Sequence, residues 1–536
     1  METEQHYDVI IIGTGAGGGT LAHKLAPSGK RILLLERGPY LPRERDNWDT
    51  VEVFVKGKYR APETWYDDDY AEFMPGINYY VGGNTKFYGA ALLRLRPQDF
   101  GELRHYGGIS PAWPISYDEL EPYYTAAEQL WQVHGRHGED PSEGPASGQY
   151  PRPPIAHEAR IQRLSDDLEK LGLHPFHMPI GNFLDERDGG GPSRDSVCIK
   201  CDRFDGFPCP LNGKADAEVV CIGPALEHPN VELLTEAFVD RLETDPSGRT
   251  VTAVHVKQPD REERYTADIV VVSAGAINSA LLLLRSANDR HPRGLANSSD
   301  LVGRRYLCHN NEALMAVSKE PNPTRFQKTL ALNDWYLGAD DSDLPLGGIQ
   351  MLGKSDGEMI RGEAPHWAHM LTRMTPEATL DDVARNAIDF WLCSEDLPLP
   401  ENRVSIDSDG KVLLARSARN NMEAHKRLVK KLESMLDKLG MHPRLLKRRL
   451  YLGKEMDIAA VAHQAGTVCF GIDPATSVLD VDCKAHDLDN LYVVDTSFMP
   501  SIGAVNPSLT AMANALRVGD RLLERMGASA PGGGAS

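Results

Sequence analysis

Short, wholly apolar runs alternate along the chain with glycine-rich turns and amphipathic stretches, the pattern of strands buried on both faces by helices. Asp8-Val-Ile-Ile-Ile12 leads at once into Gly13-Thr-Gly15-Ala-Gly-Gly18 and then a helix-like stretch through Leu21, Ala22 and Leu25. Arg31-Ile-Leu-Leu-Leu-Glu36 predicts a second buried strand that ends on an acid. Ile269-Val-Val-Val-Ser273 predicts another, followed by small residues and a leucine-rich helix, and Leu491-Tyr-Val-Val-Asp495 a fourth, ahead of a helix over Ser508–Met526. Residues 231–257 alternate as a β-meander does, with a turn at Asp245-Pro-Ser-Gly248. Between 310 and 455 strands mix with an amphipathic helix near 420–440, where Ala424, Leu428, Leu432 and Leu436 recur at every fourth position. Residues 136–160 and 181–216, rich in Gly, Pro, Asp and Arg, predict excursions over a surface, and the last ten residues a disordered tail.

The 536 residues are 41% apolar and 25% charged, enough for a real core, and disorder is excluded. Lys and Arg number 58 against 77 Asp and Glu, a net charge of −19 that disfavours nucleic acid and anionic membranes as partners. The longest nearly apolar run, Ile269 to Leu284, is interrupted by Ser273, Gly275, Asn278 and Ser279 and is shorter than the ~20 apolar residues of a spanning helix. With no basic n-region, no twin arginine and only eight cysteines, the expectation is a cytoplasmic protein with reduced thiols. Cys198, Cys201, Cys209 and Cys221 could supply one structural zinc, but Cys221 opens an apolar stretch where a free thiol is ordinary core. No metal is assigned.

The glycine turn lies between a strand and a helix, with Glu36 twenty-three residues after Gly13. In that context Gly13 permits the tight turn, Gly15 lets the backbone approach a pyrophosphate, and Gly18 lets the helix pack on the strand. Glu36 stands where an acid accepts from a ribose hydroxyl. This is a Rossmann-type dinucleotide site, and the turn alone does not choose between FAD and NAD. Its strands begin near residues 8, 31, 269 and 491, so the nucleotide domain is assembled from separated segments with a second domain inserted between them.

Val81-Gly-Gly-Asn-Thr-Lys-Phe-Tyr-Gly89, Trp113-Pro-Ile-Ser-Tyr-Asp-Glu-Leu-Glu-Pro-Tyr-Tyr124, Ala274-Gly-Ala-Ile-Asn-Ser279, Glu401-Asn-Arg-Val404, His463-Gln-Ala-Gly-Thr467 and Val494-Asp-Thr-Ser-Phe-Met-Pro500, leading into Asn506-Pro507, resemble the GMC (glucose–methanol–choline) oxidoreductases. They occur in the family's order across residues 6–526. The resemblance implies an α/β fold, with a Rossmann-type FAD-binding domain (1–106, 192–309 and 460–526) interleaved with an α+β substrate domain (107–191 and 310–459) on a mainly antiparallel sheet. It implies FAD held by Gly13, Gly15, Gly18, Glu36, Gly83, Asn84, Ala274, Asp495, Asn506 and Pro507. The pairing of His463 with Asn506 is similar to that of pyranose oxidases and bacterial glycoside 3-oxidases.

That branch implies oxidation of a ring secondary hydroxyl, at C3 or C2 of a sugar or glycoside, with His463 as base and hydride passing to flavin N5. Gln350 stands where pyranose oxidases carry a substrate-side glutamine. Phe87 replaces the histidine through which some relatives attach the flavin, so FAD is expected to be non-covalent. Ala280 departs from the usual Pro or Ser of its signature. From the residues alone, Asn506-Pro507 also reads as a helix N-cap and first helical residue, and Phe326-Gln-Lys-Thr329 as part of a substrate loop. Molecular oxygen is the expected acceptor. Alternatives are a dehydrogenase serving a quinone or another carrier and, more remotely, a lyase that keeps its flavin for structure.

Overall fold

The computed structural model describes residues 5–318, 320–362, 377–416, 419–439, 442–447 and 462–528. The expected tail from 529 onward and the apolar positions Ile458–Val461 ahead of His463 lie outside the described residues.

β1 (His6–Ile12) is the centre of a seven-stranded sheet. It pairs in parallel with β2 (Ile32–Leu35), which carries β3 (Val231–Leu234) on its far side. β4 (Phe238–Thr244), β5 (Val251–Gln258) and β6 (Arg261–Val272) form the meander, antiparallel throughout. β6 serves two ladders. Its first half pairs with β5, and its end, Ile269–Val272, pairs in parallel with β1 and with Leu491–Val493. All four apolar runs are therefore adjacent parallel strands, buried because helices cover them: α1 (Ala16–Leu25) packs on the final helix Ser508–Arg525, and that helix packs on α2 (Tyr117–Leu130). A third helix, α3 (Ala276–Arg285), follows the end of β6.

The second large sheet runs in the order β11 (His442–Lys447), β7 (Asn310–Val317), β10 (Ala387–Ser394), β9 (Gly348–Met351), β8 (Leu330–Leu332) and Phe176–His177, antiparallel throughout. One face, with Leu314, Phe390 and Ile349, is covered by the helices Ala159–Lys170 and Met422–Lys438, whose Leu428, Leu432 and Leu436 are fully buried. Ala313, Trp391 and Gln350 stand directly opposite one another on β7, β10 and β9 and point to the other face, since successive residues of a strand alternate. Segment 181–216 is more than a surface excursion, because its Phe204, Asp205 and Gly206 reach inward to the central cavity.

The glycine turn is the tightest place in the first sheet. A Cβ on Gly13 would stand 2.3 Å from Ser273 O, one on Gly17 2.0 Å from Val494 O, and one on Gly18 2.0 Å from Gly13 O. Gly13 also has φ +102°, which side chains disfavour. Gly15 differs, because nothing lies within 4 Å of its Cβ position. Gly18→Ala is therefore expected to destabilise the fold by roughly 1–3 kcal/mol or more, the usual cost of overpacking, while Gly15→Ala leaves stability near wild type. Thermal unfolding of the two variants side by side checks this; equal midpoints would refute it.

Candidate active site

The parallel strands of the first sheet end together, and one cavity of about 470 Å³ opens there. This is the crevice where open α/β sheets bind ligands. α1, α3 and the final helix all direct their N-termini at it, through Ala16 and Gly17, through Ala276 and Ile277, and through Ser508. None of the three carries an acidic residue in its first turn, so free N–H groups and positive dipole ends converge on one space.

At the glycine turn, Thr14 ties three segments together. Its backbone N–H donates to Glu36 Oε2 at 3.1 Å, its hydroxyl donates to the same oxygen, and that hydroxyl accepts from Gly82 N at 3.0 Å. Glu36 Oε1 accepts from Gly38 N at 3.0 Å. Glu36 is buried, and desolvation raises its pKa against the lowering effect of these donors. Gly83 (φ +56°) crosses the turn so closely that its Cβ would sit 3.2 Å from Gly15 Cα. Asn84 accepts from Asn78 N at 3.0 Å. Asp495 accepts from Gly275 N at 3.0 Å, from Ser497 N at 2.9 Å and from the Ser279 hydroxyl, so one buried carboxylate organises the starts of α3 and of the turn Thr496–Phe498. Burial raises its pKa.

Gly13, Gly15, Glu36, Gly83, Asn84, Ala274, Asp495, Asn506, Pro507, Gln350 and His463 all line the cavity. Gly18 does not; it serves the packing of α1. The wall on the second sheet is the row Ala313, Trp391 and Gln350. His463 faces that row, with its ring centroid 6.3 Å from that of Trp391. Its Nε2 lies 3.3 Å from Asn506 Nδ2 and its Nδ1 3.1 Å from Nδ1 of the fully buried His309. The ring is half-buried, and desolvation alone holds its pKa down to about 4, leaving the imidazole neutral near pH 7.

The structure bears on several readings that the sequence left open. The helix begins at Ser508 with Pro507 as its cap and no side-chain capping bond, so Asn506 does not cap it and its amide is directed to His463. Phe326–Thr329 is buried away from the cavity: Gln327 donates to Asp389, and Lys328 pairs with the cavity residue Asp205 at 2.5 Å. The four thiols do not converge, since Cys221 is buried beside Thr20 Oγ1 (3.9 Å), and among the described residues no group of three or more His, Cys, Asp or Glu is arranged for a metal. Among those residues no helix is long and apolar enough to cross a membrane. Thr14, His309 and Trp391 were not singled out from the sequence. Their partners lie 22 to 154 residues away, and only the pairing of Leu307–Cys308 with Gln464–Ala465 brings His309 to His463.

Two family models described as GMC oxidoreductase match residues 187–311 and 398–515. The chain is 32% identical to 6'''-hydroxyparomomycin C oxidase of Streptomyces lividus, over 97% of this chain and 92% of that protein. It is 31% identical to paromamine 6'-oxidase of Streptomyces fradiae, over 96% and 91%. The crystal structure of pyridoxine 4-oxidase from Mesorbium loti superposes with a TM-score of 0.66 at 19% identity, covering 96% of this chain and 99% of that one, and so shares the fold.

The chain belongs to the GMC oxidoreductase family. It is a flavoenzyme that oxidises an alcohol, and its cofactor is FAD. The cavity fits that group, because the open space at Gly15 and the N-termini of α1 and the final helix, free of acidic residues, suit a pyrophosphate and an electron-rich ring. The FAD is non-covalent; Phe87, which the resemblance sets where some relatives attach their flavin, is in ring contact with Tyr59 and Tyr80 and offers no nucleophile for such a bond. Acid precipitation is expected to release all yellow colour into the supernatant; colour kept by the pellet would contradict this.

Proposed function

We propose that the protein oxidises a ring secondary hydroxyl, at C3 or C2, of a pyranose sugar or glycoside to the ketone, with molecular oxygen as acceptor. The observation that carries this reading is the His463–Asn506 pair on the wall of the cavity where the helix N-termini converge. Bound FAD supplies the acceptor for the hydride leaving the carbon. His463, neutral through desolvation, takes the hydroxyl proton, as a positioned general base does. Asn506 fixes the same oxygen, which leaves one orientation of the carbon-bound hydrogen, and hydride transfer depends on such near-attack geometry. The indole of Trp391 and the amide of Gln350 offer one flat apolar face and one hydrogen-bonding edge, the combination that suits a pyranose ring.

In this reading the glycine turn, Glu36, Gly83, Asn84, Ala274 and Asp495 hold the cofactor. The flavin domain comprises 1–106, 192–309 and 460–526, and the substrate domain the segments between. The two Streptomyces relatives support a carbohydrate substrate and, as named oxidases, oxygen rather than a quinone. Their names also support a second reading. Position 6 of a hexopyranose is the exocyclic CH₂OH, whose oxidation yields an aldehyde.

Anaerobic titration with D-glucose, methyl β-D-glucopyranoside, an aryl C-glucoside and paromamine is expected to bleach the flavin with at least one of them, and NMR of the product locates the new carbonyl. A ring ketone at C2 or C3 supports the first reading, an aldehyde the second, and a lactone at C1 refutes both. Oxygen uptake measured against dye reduction decides the acceptor. His463→Ala is expected to retain FAD and slow flavin reduction by ~10²–10⁴-fold; a wild-type rate would place the base elsewhere. In the wild type the reduction rate should be flat between about pH 6 and 8 and fall on the acid side with a midpoint near 4. Because an unfolded histidine titrates near 6.5, protonation of the same group also removes stability as the pH falls from 6.5 to about 4.

A further inference from the structure

His309 is wholly buried and lies outside the chemistry described so far. We propose that it is a positioning residue. It accepts the Nδ1 proton of His463 and thereby fixes the tautomer whose Nε2 carries the lone pair that takes the substrate's proton. This rests on the reading of His463 as the base.

The argument starts from the backbone. Leu307 pairs with Ala465 and Cys308 with Gln464 in a short antiparallel ladder, and the next position of that register sets His309 against His463. The two rings meet edge to face at 89°, with centroids 5.2 Å apart and their Nδ1 atoms at 3.1 Å. Burial, and then the neighbouring imidazole, press the pKa of His309 well below the ordinary histidine value, so both rings are neutral. Two neutral imidazoles in this contact share one proton, and either ring could own it.

The far edge of His309 decides which. Its Nε2 is buried and makes no hydrogen bond of normal geometry, and the Ile502 and Gly503 backbone carbonyls lie beside the ring; with Nδ1 turned to His463, Nε2 is the nitrogen left to face them. A lone pair there would face carbonyl lone pairs in a dry site, whereas an N–H is attracted to them. The His309 proton therefore resides on Nε2, its Nδ1 is an acceptor, and the shared proton belongs to His463 Nδ1. His463 Nε2 is left with its lone pair toward the cavity, where Asn506 Nδ2 approaches at 3.3 Å as a donor. The two ends of the chain of contacts agree on one tautomer. When His463 takes a proton at Nε2, its Nδ1–H stays on the same acceptor. Charged groups nearby are the Arg416 guanidinium, which donates to Cys308 O at 2.7 Å, the Asp396 carboxylate paired with it at 3.2 Å, and the Glu395 carboxylate, which accepts from Gly503 N at 3.3 Å.

The test uses the FAD-loaded enzyme and whichever compound of the panel above bleaches the flavin fastest. His309→Leu removes the acceptor, while His309→Asn keeps one, since its Oδ1 can stand in for Nδ1. Flavin reduction at saturating substrate should fall ~10–100-fold in His309→Leu, the usual loss when a histidine's orienting partner is removed. The apparent affinity should change little, and His309→Asn should recover most of the rate. A purely structural role would not discriminate between these variants in that order. A wild-type rate in His309→Leu alongside a slow His463→Ala would overturn this proposal and leave the base intact; a wild-type rate in His463→Ala would overturn both. Should the leucine variant fail to fold, ¹⁵N-histidine NMR of the wild-type holoenzyme, with the His463 signals assigned by their loss in His463→Gln, reads the tautomer directly. A protonated Nδ1 on His463 is expected, and a proton on Nε2 would overturn the proposal.

Discussion

Backbone packed against backbone at the ends of the parallel strands is the constraint on which the rest of the molecule depends. Ser273 N donates to Ile12 O at 2.7 Å, Val494 N to Val272 O at 2.8 Å and Gly13 N to Leu35 O at 2.8 Å, so four chain segments end in one plane. The contact distances at Gly13, Gly17 and Gly18 leave no room for even one methyl group. Because the strands stop together, the helices that follow them start together, and their positive ends add at one cavity. Glu36 and Asp495 are buried acids at that junction, and each is satisfied by donors from the segment it braces rather than by a cation.

The second sheet supplies what the first cannot. A Rossmann-type sheet offers glycine turns and helix ends, which recognise phosphates and leave an alcohol unread. The cavity-facing row on β7, β9 and β10 presents a small residue, an indole and an amide side by side, and its opposite face is locked onto two amphipathic helices. That locking matters for chemistry, since a wall free to shift would not hold a hydroxyl against an imidazole. His463, the base in the proposed reaction, lies between the two sheets. Its backbone is held by the ladder with Leu307–Cys308, its ring by contacts with His309 on one side and Asn506 on the other.

Desolvation sets the proton chemistry. Among the described residues no carboxylate partners His463, which separates this arrangement from one in which an acid raises the basicity of the imidazole. Here the surroundings lower it, and the ring stays neutral far below physiological pH. An imidazole so held is a weaker base than a free one, and in the proposed reaction its effectiveness depends on placement and tautomer more than on affinity for the proton.

Much of this was legible in the sequence, and the physical reason is locality. The four apolar β-branched or leucine runs bounded by turn signals are buried strands, and Gly13, Gly15 and Gly18 carry their conformational demands within six residues. The fourfold repeat of Ala424, Leu428, Leu432 and Leu436 closes on one helix face without reference to any other segment. The family signatures, quoted in order, led to FAD and to His463 and Asn506. What the sequence could not decide was whatever depends on distant residues meeting. Whether Asn506 caps a helix or faces His463 turned on the orientation of one amide. Whether four cysteines gather turned on where a loop carries Cys221. The wall of Ala313, Trp391 and Gln350 exists only through the register of three strands, and the contact of His309 with His463, 154 residues apart, only through a two-residue ladder. No local pattern of polarity encodes such a pairing, because it is the packing of the two sheets that brings those positions together.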